Sequence, residues 1–261
     1  MEKKIEGNIT PLLSREALIY QALLCGLRDY VNKNNFPGVL LGLSGGIDSA
    51  LVLALAVDAL GASRVLAVLM PSRYTAGMSG EDAKQQAEAM QVSHITLSIE
   101  PAFKALLTTL APCFQGLAPD TTEENLQARI RGVLLMALSN KSGNMLLCTS
   151  NKSETAVGYS TLYGDMAGGF AVLKDVLKTT VYALAHYRNT LSPVIPQRVL
   201  TRAPSAELAA NQTDQDSLPD YAVLDSIITA YMEDNLGADE IIAKGYKAED
   251  VMKVIKLIKR N

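Results

Sequence analysis

The stretch Gly42-Leu43-Ser44-Gly45-Gly46-Ile47-Asp48-Ser49 joins a continuous apolar run to an apolar helix, and its residue types suit an anion. Glycines let the backbone approach a ligand closely and turn its N–H groups toward it. The start of a helix adds free donors and the positive end of its dipole. Ser44 and Ser49 bring hydroxyls, and Asp48 can hold a divalent cation beside phosphates. A Walker loop is excluded, because that motif needs Gly-Lys-Ser/Thr and no lysine stands here. Gly42-x-Ser44-x-Gly46 also fits the nucleophile elbow of α/β-hydrolases, which needs an acid and then a histidine downstream. Only His94 and His186 exist, and His186 lies in a helical stretch; the serine also follows the first convincing strand, too early for that fold. A capped turn that binds nothing is the bland alternative.

Alternating elements position this loop. Ser14 caps a helix reaching about Asn35, and Val39–Leu43 is a short apolar run of the kind buried on both faces of a sheet. A helix over Ala50–Leu60 follows. Val65–Met70, His94–Ile99 and Met145–Thr149 read as strands. Helices fall over Ser79–Gln91, with Ser79 and Asp82 in capping-box spacing, and over Pro101–Leu110, Thr121–Asn140 and Asp175–Arg188. Strands separated by helices predict a doubly wound, Rossmann-like α/β fold, a parallel sheet with helices on both faces. Ligands then collect beyond the carboxyl ends of strands, after Leu43, Met70, Ile99 and Thr149. Leu200–Asp220 lacks periodicity and reads as a lid or binding loop. Helices over about 221–235 and 248–260 close the chain, in which Val251, Val254, Ile255 and Ile258 face inward and Lys253, Lys256, Lys259 and Arg260 outward.

Composition narrows the partners. The 261 residues fit one large domain or two small ones, and no linker or repeat divides them. Lys and Arg total 24 against 27 Asp and Glu, so a protein devoted to gripping nucleic acid is not expected. The longest apolar run, Ala50–Val57, is far short of the about 20 residues that span a membrane. Cys25, Cys113 and Cys148 form neither a CxxC pair nor a disulfide framework. With the charged start Met1-Glu2-Lys3-Lys4, these features lead to the expectation of a cytoplasmic enzyme.

Ser44-Gly45-Gly46-x-Asp48-Ser49 resembles the pyrophosphate loop of the ATP pyrophosphatase superfamily. Further segments resemble one family within it, the NAD synthetases: Pro71-Ser72-Arg73-Tyr74-Thr75, Glu124-Asn125-Leu126-Gln127-Ala128-Arg129-Ile130-Arg131, Asn151-Lys152-Ser153-Glu154, Gly158-Tyr159 through Tyr163-Gly164-Asp165, Lys174–Thr179 and Pro204-Ser205-Ala206-Glu207-Leu208. The resemblance implies that the nicotinate carboxylate of deamido-NAD attacks the α-phosphate of ATP, releasing pyrophosphate, and that ammonia then displaces AMP. It places Gly42, Ser44, Gly45, Gly46, Asp48, Ser49, Arg73, Thr149, Lys178 and Ser205 on ATP. Asn125, Arg129, Glu154, Tyr159 and Asp165 fall on deamido-NAD, and Asp48 and Glu154 on Mg²⁺. Asp48, Lys178 and Glu154 are the implied catalytic group. A homodimer is implied as well.

Two departures from the family pattern matter. Leu162 stands where many ammonia-dependent members have a substrate lysine, so the wording is nearer the synthetase domain of glutamine-dependent enzymes. That family also continues past the equivalent of Lys259-Arg260-Asn261 with a basic segment that helps bind substrate. The expectation is a single synthetase domain over residues 1–261, without a glutaminase domain of the nitrilase type, that uses free ammonia unless a partner domain or subunit supplies it. Taken singly, Asn125 and Arg129 also read as a solvated helix face, Asn151–Glu154 as a helix cap, and Lys178 as a surface lysine. Another adenylating ligase of the superfamily, or a nucleotide sensor without turnover, is the competing function.

Overall fold

The strands at the centre of the molecule are apolar along their length because helices cover both of their faces. The computed structural model describes residues 12–205, 207–209 and 212–261. β1 (Val39–Gly42), β2 (Val65–Leu69), β3 (Ser93–Thr96), β4 (Met145–Cys148) and the two-residue β5 (Phe170–Ala171) form a parallel sheet in the order β3-β2-β1-β4-β5. Alternate residues of β1 serve opposite faces, as the two-residue period of a strand demands. Val39 and Leu41 join the core shared with α1 (Arg15–Lys33), α2 (Ile47–Leu60), α3 (Gly77–Ala89) and α7 (Lys178–Leu191). Leu40 faces the other way, with Val68, Leu146 and Leu135 of α5 (Thr121–Ser142). α4 (Glu100–Leu110) packs beside α5 through Phe103 and Ile130. The doubly wound reading is thus the observed architecture.

α2 is apolar all round because it lies between the sheet, α1 and α7, with Ala50 through Ala56 fully buried. It starts at Ile47 rather than Ala50, which brings Asp48 and Ser49 into its first turn. The chain leaves β3 for β4 on the far side of β1, so the strand order reverses between β1 and β4.

Two helix starts differ from the sequence expectation. α3 begins after Ala76, and Ser79 and Asp82 make no capping box; both are buried, Ser79 bonded to Glu207 and Asp82 to Arg198. α7 begins at Lys178, not Asp175, because Leu177 is extended and the first free N–H groups, of Lys178 and Thr179, are taken by Ser153 Oγ and Asp225. The short helices α6 (Lys152–Ala156), α8 (Gln197–Thr201) and α10 (Ala238–Ala243) and the strand β5 carry too few residues for a readable period. α9 (Tyr221–Ile228), continued by a π turn to Glu233, packs with α10 and α11 (Ala248–Arg260) around a separate cluster that includes Leu224, Ile227, Ile241 and Val254. Val251, Val254 and Ile255 of α11 are buried, as its pattern predicts. Among the described residues no helix is long and apolar enough to cross a membrane.

One half-buried pair ties the helical layer together. Arg188 of α7 donates from Nε and Nη2 to both oxygens of Asp58 in α2, at 2.6 and 3.0 Å. Tyr20 of α1 donates to the same carboxylate at 2.7 Å. Arg188→Ala leaves that carboxylate without its cation, so we expect a loss of about 3 kcal/mol in unfolding free energy, read from the urea midpoint.

Candidate active site

The crevice where the strand order reverses lies between the loop after β1 and the loop after β4, the place where open α/β sheets bind ligands. The first loop is braced by its own serines. Ser49 Oγ donates to Gly46 O at 3.0 Å and accepts from Ser44 N at 3.2 Å, and Ser44 Oγ accepts from Gly46 N at 3.2 Å. Gly45 has φ +83°, and a Cβ there would stand 2.2 Å from the carbonyl oxygen of Ser79, so only glycine allows this approach of the loop to α3.

Across the crevice, Asn151 caps α6 by accepting from Glu154 N at 3.0 Å and donates to Asp48 Oδ1 at 2.8 Å. One side chain therefore holds the start of α6 and aims the carboxylate of α2. Lys178 Nζ sits 2.6 Å from Asp48 Oδ2 and 2.8 Å from Glu154 Oε1. Its side chain is 2% exposed, although a solitary lysine at a helix start reads as a surface residue. A cation there opposes the helix dipole, so the two carboxylates are what make the position tenable. The Tyr221 ring adds a face 5.2 Å from the ammonium.

Burial alone would lower the Lys178 ammonium, but the charges of Asp48 and Glu154 more than reverse this and hold it above its ordinary value. Burial, then the nearby charge of Asp48, pushes the Glu154 carboxyl up to about 7. Behind the trio, Asp225 of α9 accepts from Thr179 N at 2.8 Å, Thr179 Oγ1 at 2.7 Å and Ser153 Oγ, while Ser153 Oγ accepts from Lys178 N at 2.8 Å. The chain segments carrying Glu154 and Lys178 are thereby fixed to one another.

Asp48, Glu154 and Lys178 line a cavity of about 450 Å³, which also takes in Gly42, Ser44, Gly45, Gly46, Tyr159, Asp165 and Ser205. Ser205 closes the following loop by donating to Gln212 O at 2.5 Å. Asp165 accepts from Thr161 N at 2.7 Å. The cavity does not gather every residue singled out in the sequence. Ser49 is buried within its loop, and Thr149 lies outside the lining. Arg73 points away, paired with Glu100 at 2.7 Å and set over the Phe103 ring. Asn125 accepts from Thr161 Oγ1 at 2.8 Å, and Arg129 donates to Leu162 O at 3.2 Å on the outer face of α5.

The cavity wall also holds residues to which the sequence reading gave no role. Arg202 donates to Ser79 Oγ at 2.6 Å and lies 3.4 Å from Glu207, joining the loop after α8 to α3. Arg131 donates from Nε to Met70 O at 3.3 Å. Asp214 is almost fully buried. Arg131 closes the Glu124–Arg131 segment but on its own reads as one more charge on a helix, and Arg202 and Asp214 lie within an aperiodic loop.

The family model described as NAD synthase matches residues 19–261. The chain belongs to the NAD synthase family. It is 58% identical to the glutamine-dependent NAD(+) synthetase of Acinetobacter baylyi over 99% of its own length and 48% of that protein's. The chain thus spans about half the length of the curated relatives it matches, as it does again with the Thermotoga maritima protein at 45%. A solved structure of the glutamine-dependent NAD+ synthetase from Acinetobacter baumannii, in complex with ADP, is 56% identical with a TM-score of 0.75, covering 98% of this chain and 46% of that one. The NH3-dependent NAD synthetase from Campylobacter jejuni is 27% identical with a TM-score of 0.75, over 95% of both chains. The doubly wound sheet is therefore the NAD synthase fold, with the Lys178 trio at its switch point.

A carboxyl that ionises less readily in the folded chain than in the unfolded one adds stability that is complete below its unfolded value of 4.5 and is lost as pH rises through about 7. In metal-free buffer the thermal midpoint should fall between pH 5 and 8, and Glu154→Gln should make that fall shallower. Parallel profiles for the two proteins would show that Glu154 does not titrate in this range.

Proposed function

We propose that this chain performs the synthetase reaction of NAD formation: adenylation of the nicotinate carboxylate of deamido-NAD by ATP, then amidation by ammonia to give NAD+, AMP and pyrophosphate. The observation that carries the reading is the Lys178 ammonium, held between Asp48 and Glu154 beside a glycine loop at a helix start. Phosphoryl transfer is catalysed mostly by positioning and by neutralising charge, and this arrangement offers both. A carboxylate is a poor acyl donor, and adenylation gives it a leaving group.

In this reading the N–H groups of Ser44–Gly46 and the start of α2 hold the ATP phosphates, with Gly42 beneath them. Lys178 neutralises charge on the departing pyrophosphate, and Ser205 bounds the nucleotide side. Tyr159 and Asp165 line the deamido-NAD side; Asn125 and Arg129, on the same α5 face, reach the part of that substrate outside the cavity. Ser49 and Arg73 act on ATP through the loops they brace, and Thr149 contacts it from just beyond β4.

The residues fit Mg²⁺. Asp48 and Glu154 converge on a single cation and each keeps a partly exposed carboxylate, 18% and 17%. No cluster of three or more potential ligands occurs among the described residues, which suits a metal that completes its shell with substrate phosphates and water. When bound, Mg²⁺ would neutralise phosphate charge.

The family resemblance, together with the length of the curated relatives, supports a second element of the reading, that ammonia reaches this chain from a glutaminase domain or subunit. A homodimer is supported by Val133, Met136, Leu162, Tyr163 and Met166, exposed apolar side chains around Arg129 that a second copy would cover. The overall charge and the cavity's chemistry favour neither nucleic acid nor a membrane as partner, and the site fits cytoplasmic metabolism.

Purified protein with ATP, Mg²⁺, deamido-NAD and ammonium should produce NAD+, AMP and pyrophosphate, measured by chromatography. Asp48→Asn should lower turnover about 100-fold by removing one of the two charges at the phosphates. No NAD+ at any ammonium concentration, beside a working control enzyme, would refute the assignment. Replacing ammonium with glutamine tests the source of nitrogen.

A further inference from the structure

We propose that the Arg131 guanidinium binds the oxyanion where the two substrates meet, either the α-phosphate of the nucleotide or the carboxylate of deamido-NAD. This inference rests on the ligase reading above and deepens it by adding a residue to the reacting centre.

Arg131 belongs to α5 and lines the cavity. Its Nε donates to Met70 O at 3.3 Å, which uses one of the five N–H groups of a guanidinium. The two terminal nitrogens carry the other four and make no hydrogen bond among the described residues. Neither nitrogen is sealed away. Among the described residues the sealed side-chain atoms without a partner are Gln127 Oε1 and Asp214 Oδ1, and no Arg131 nitrogen is one of them. The idle end of this side chain therefore has open space before it, and the space that Arg131 lines is the cavity.

Charge leads to the same place. Arg202, also on the cavity wall, lies 3.4 Å from Glu207, and Lys178 is held by Asp48 and Glu154. Arg131 forms no ion pair among the described residues, unlike Arg73, Arg188 and Arg198. Burial draws its guanidinium below the ordinary value, and the more distant charge of Glu207 only partly offsets this. An arginine nevertheless stays protonated. A partly buried cation without a counter-charge is costly, and an anion brought by the ligand removes that cost.

Its place along α5 narrows the choice of anion. Ala128, Arg131 and Leu135 follow the spacing of one helix face, and all three line the cavity. At one end, a Cβ on Gly164 would stand 2.9 Å from Ala128 Cβ, next to Asp165 and the deamido-NAD side. At the other, a Cβ on Gly42 would meet Leu135 Cδ1 at 3.3 Å and Met70 Cε at 3.2 Å, at the root of the glycine loop assigned to ATP. Arg131 stands between the two, and a planar fork of donors matches a carboxylate or a phosphate equally well. In adenylation a carboxylate oxygen forms a bond to the α-phosphorus. The bond from that phosphorus to the oxygen bridging to the β-phosphate breaks, and its electron pair leaves on pyrophosphate. No proton moves. Two like charges must approach one another for this, and a fixed cation at their border lowers the repulsion.

Paired ligands that differ by one charged group test the contact by titration calorimetry. AMP and adenosine differ in the phosphate, and deamido-NAD and NAD+ in the carboxylate. Arg131→Gln should weaken AMP about 10-fold with adenosine within about twofold, or weaken deamido-NAD about 10-fold with NAD+ within about twofold. The pair that splits names the source of the oxyanion. Deamido-NAD-dependent exchange of labelled pyrophosphate into ATP should fall alongside, and Arg131→Lys, which keeps the charge without the fork, should recover part of the lost affinity. Equal changes within both pairs, as a loss of shape or folding would give, would overturn the proposal, and so would unchanged affinity for all four ligands. An unsubstituted protein that binds neither AMP nor deamido-NAD overturns the ligase reading and this inference together.

Discussion

A lysine ammonium shut between two carboxylates is the constraint around which this molecule is arranged. Lys178 lies at the start of a helix and is removed from water, two conditions that each disfavour a positive charge. It is stable there only because Asp48 and Glu154 arrive from two other elements. α2 must begin early enough to put Asp48 in its first turn, and α6 must exist at all, though it is five residues long. The switch in strand order between β1 and β4 is what brings those two helix starts to one point.

That constraint explains the division of labour among the polar side chains. Serines and asparagine around the crevice do not compete for the cavity. Ser44 and Ser49 hold the glycine loop in shape, and Asn151 spends one end of its amide on a helix cap and the other on Asp48. The charged groups Asp48, Glu154 and Lys178 are left to face the cavity. Exposed pairs elsewhere, such as Lys33 with Asp29, belong to the wet surface and contribute little.

Much of this was legible in the sequence, and the parts that were not share a physical reason. The buried strands announced themselves as short apolar runs, and the glycine loop was recognisable because its chemistry is contiguous along the chain. Lys178 was not identifiable from its own surroundings, since what makes it special is two carboxylates lying 130 and 24 residues away in sequence. Asn151–Glu154 allowed a cap reading or a site reading; in the structure Asn151 caps the helix and Glu154 lines the cavity. Ser79 and Asp82 misled in the opposite direction, because capping-box spacing also suits two polar residues that face a neighbouring segment. Asp214 and Arg202 carried no signal, as aperiodic segments reveal little about where their side chains point.

Asp225 gives the design an unexpected weak point. This residue belongs to the C-terminal helices, yet its carboxylate gathers Ser153 and Thr179, the immediate neighbours of Glu154 and Lys178. The spacing of the charged trio is therefore set from a layer with its own small core, separate from that of the sheet. Partial fraying of that layer would leave the sheet, its glycine loop and most of the secondary structure intact while letting the trio drift apart. The geometry of the trio and the global fold need not be lost at the same temperature, and the more fragile of the two is governed by helices none of whose described residues lines the cavity, the Tyr221 ring only approaching it, 5.2 Å from the Lys178 ammonium.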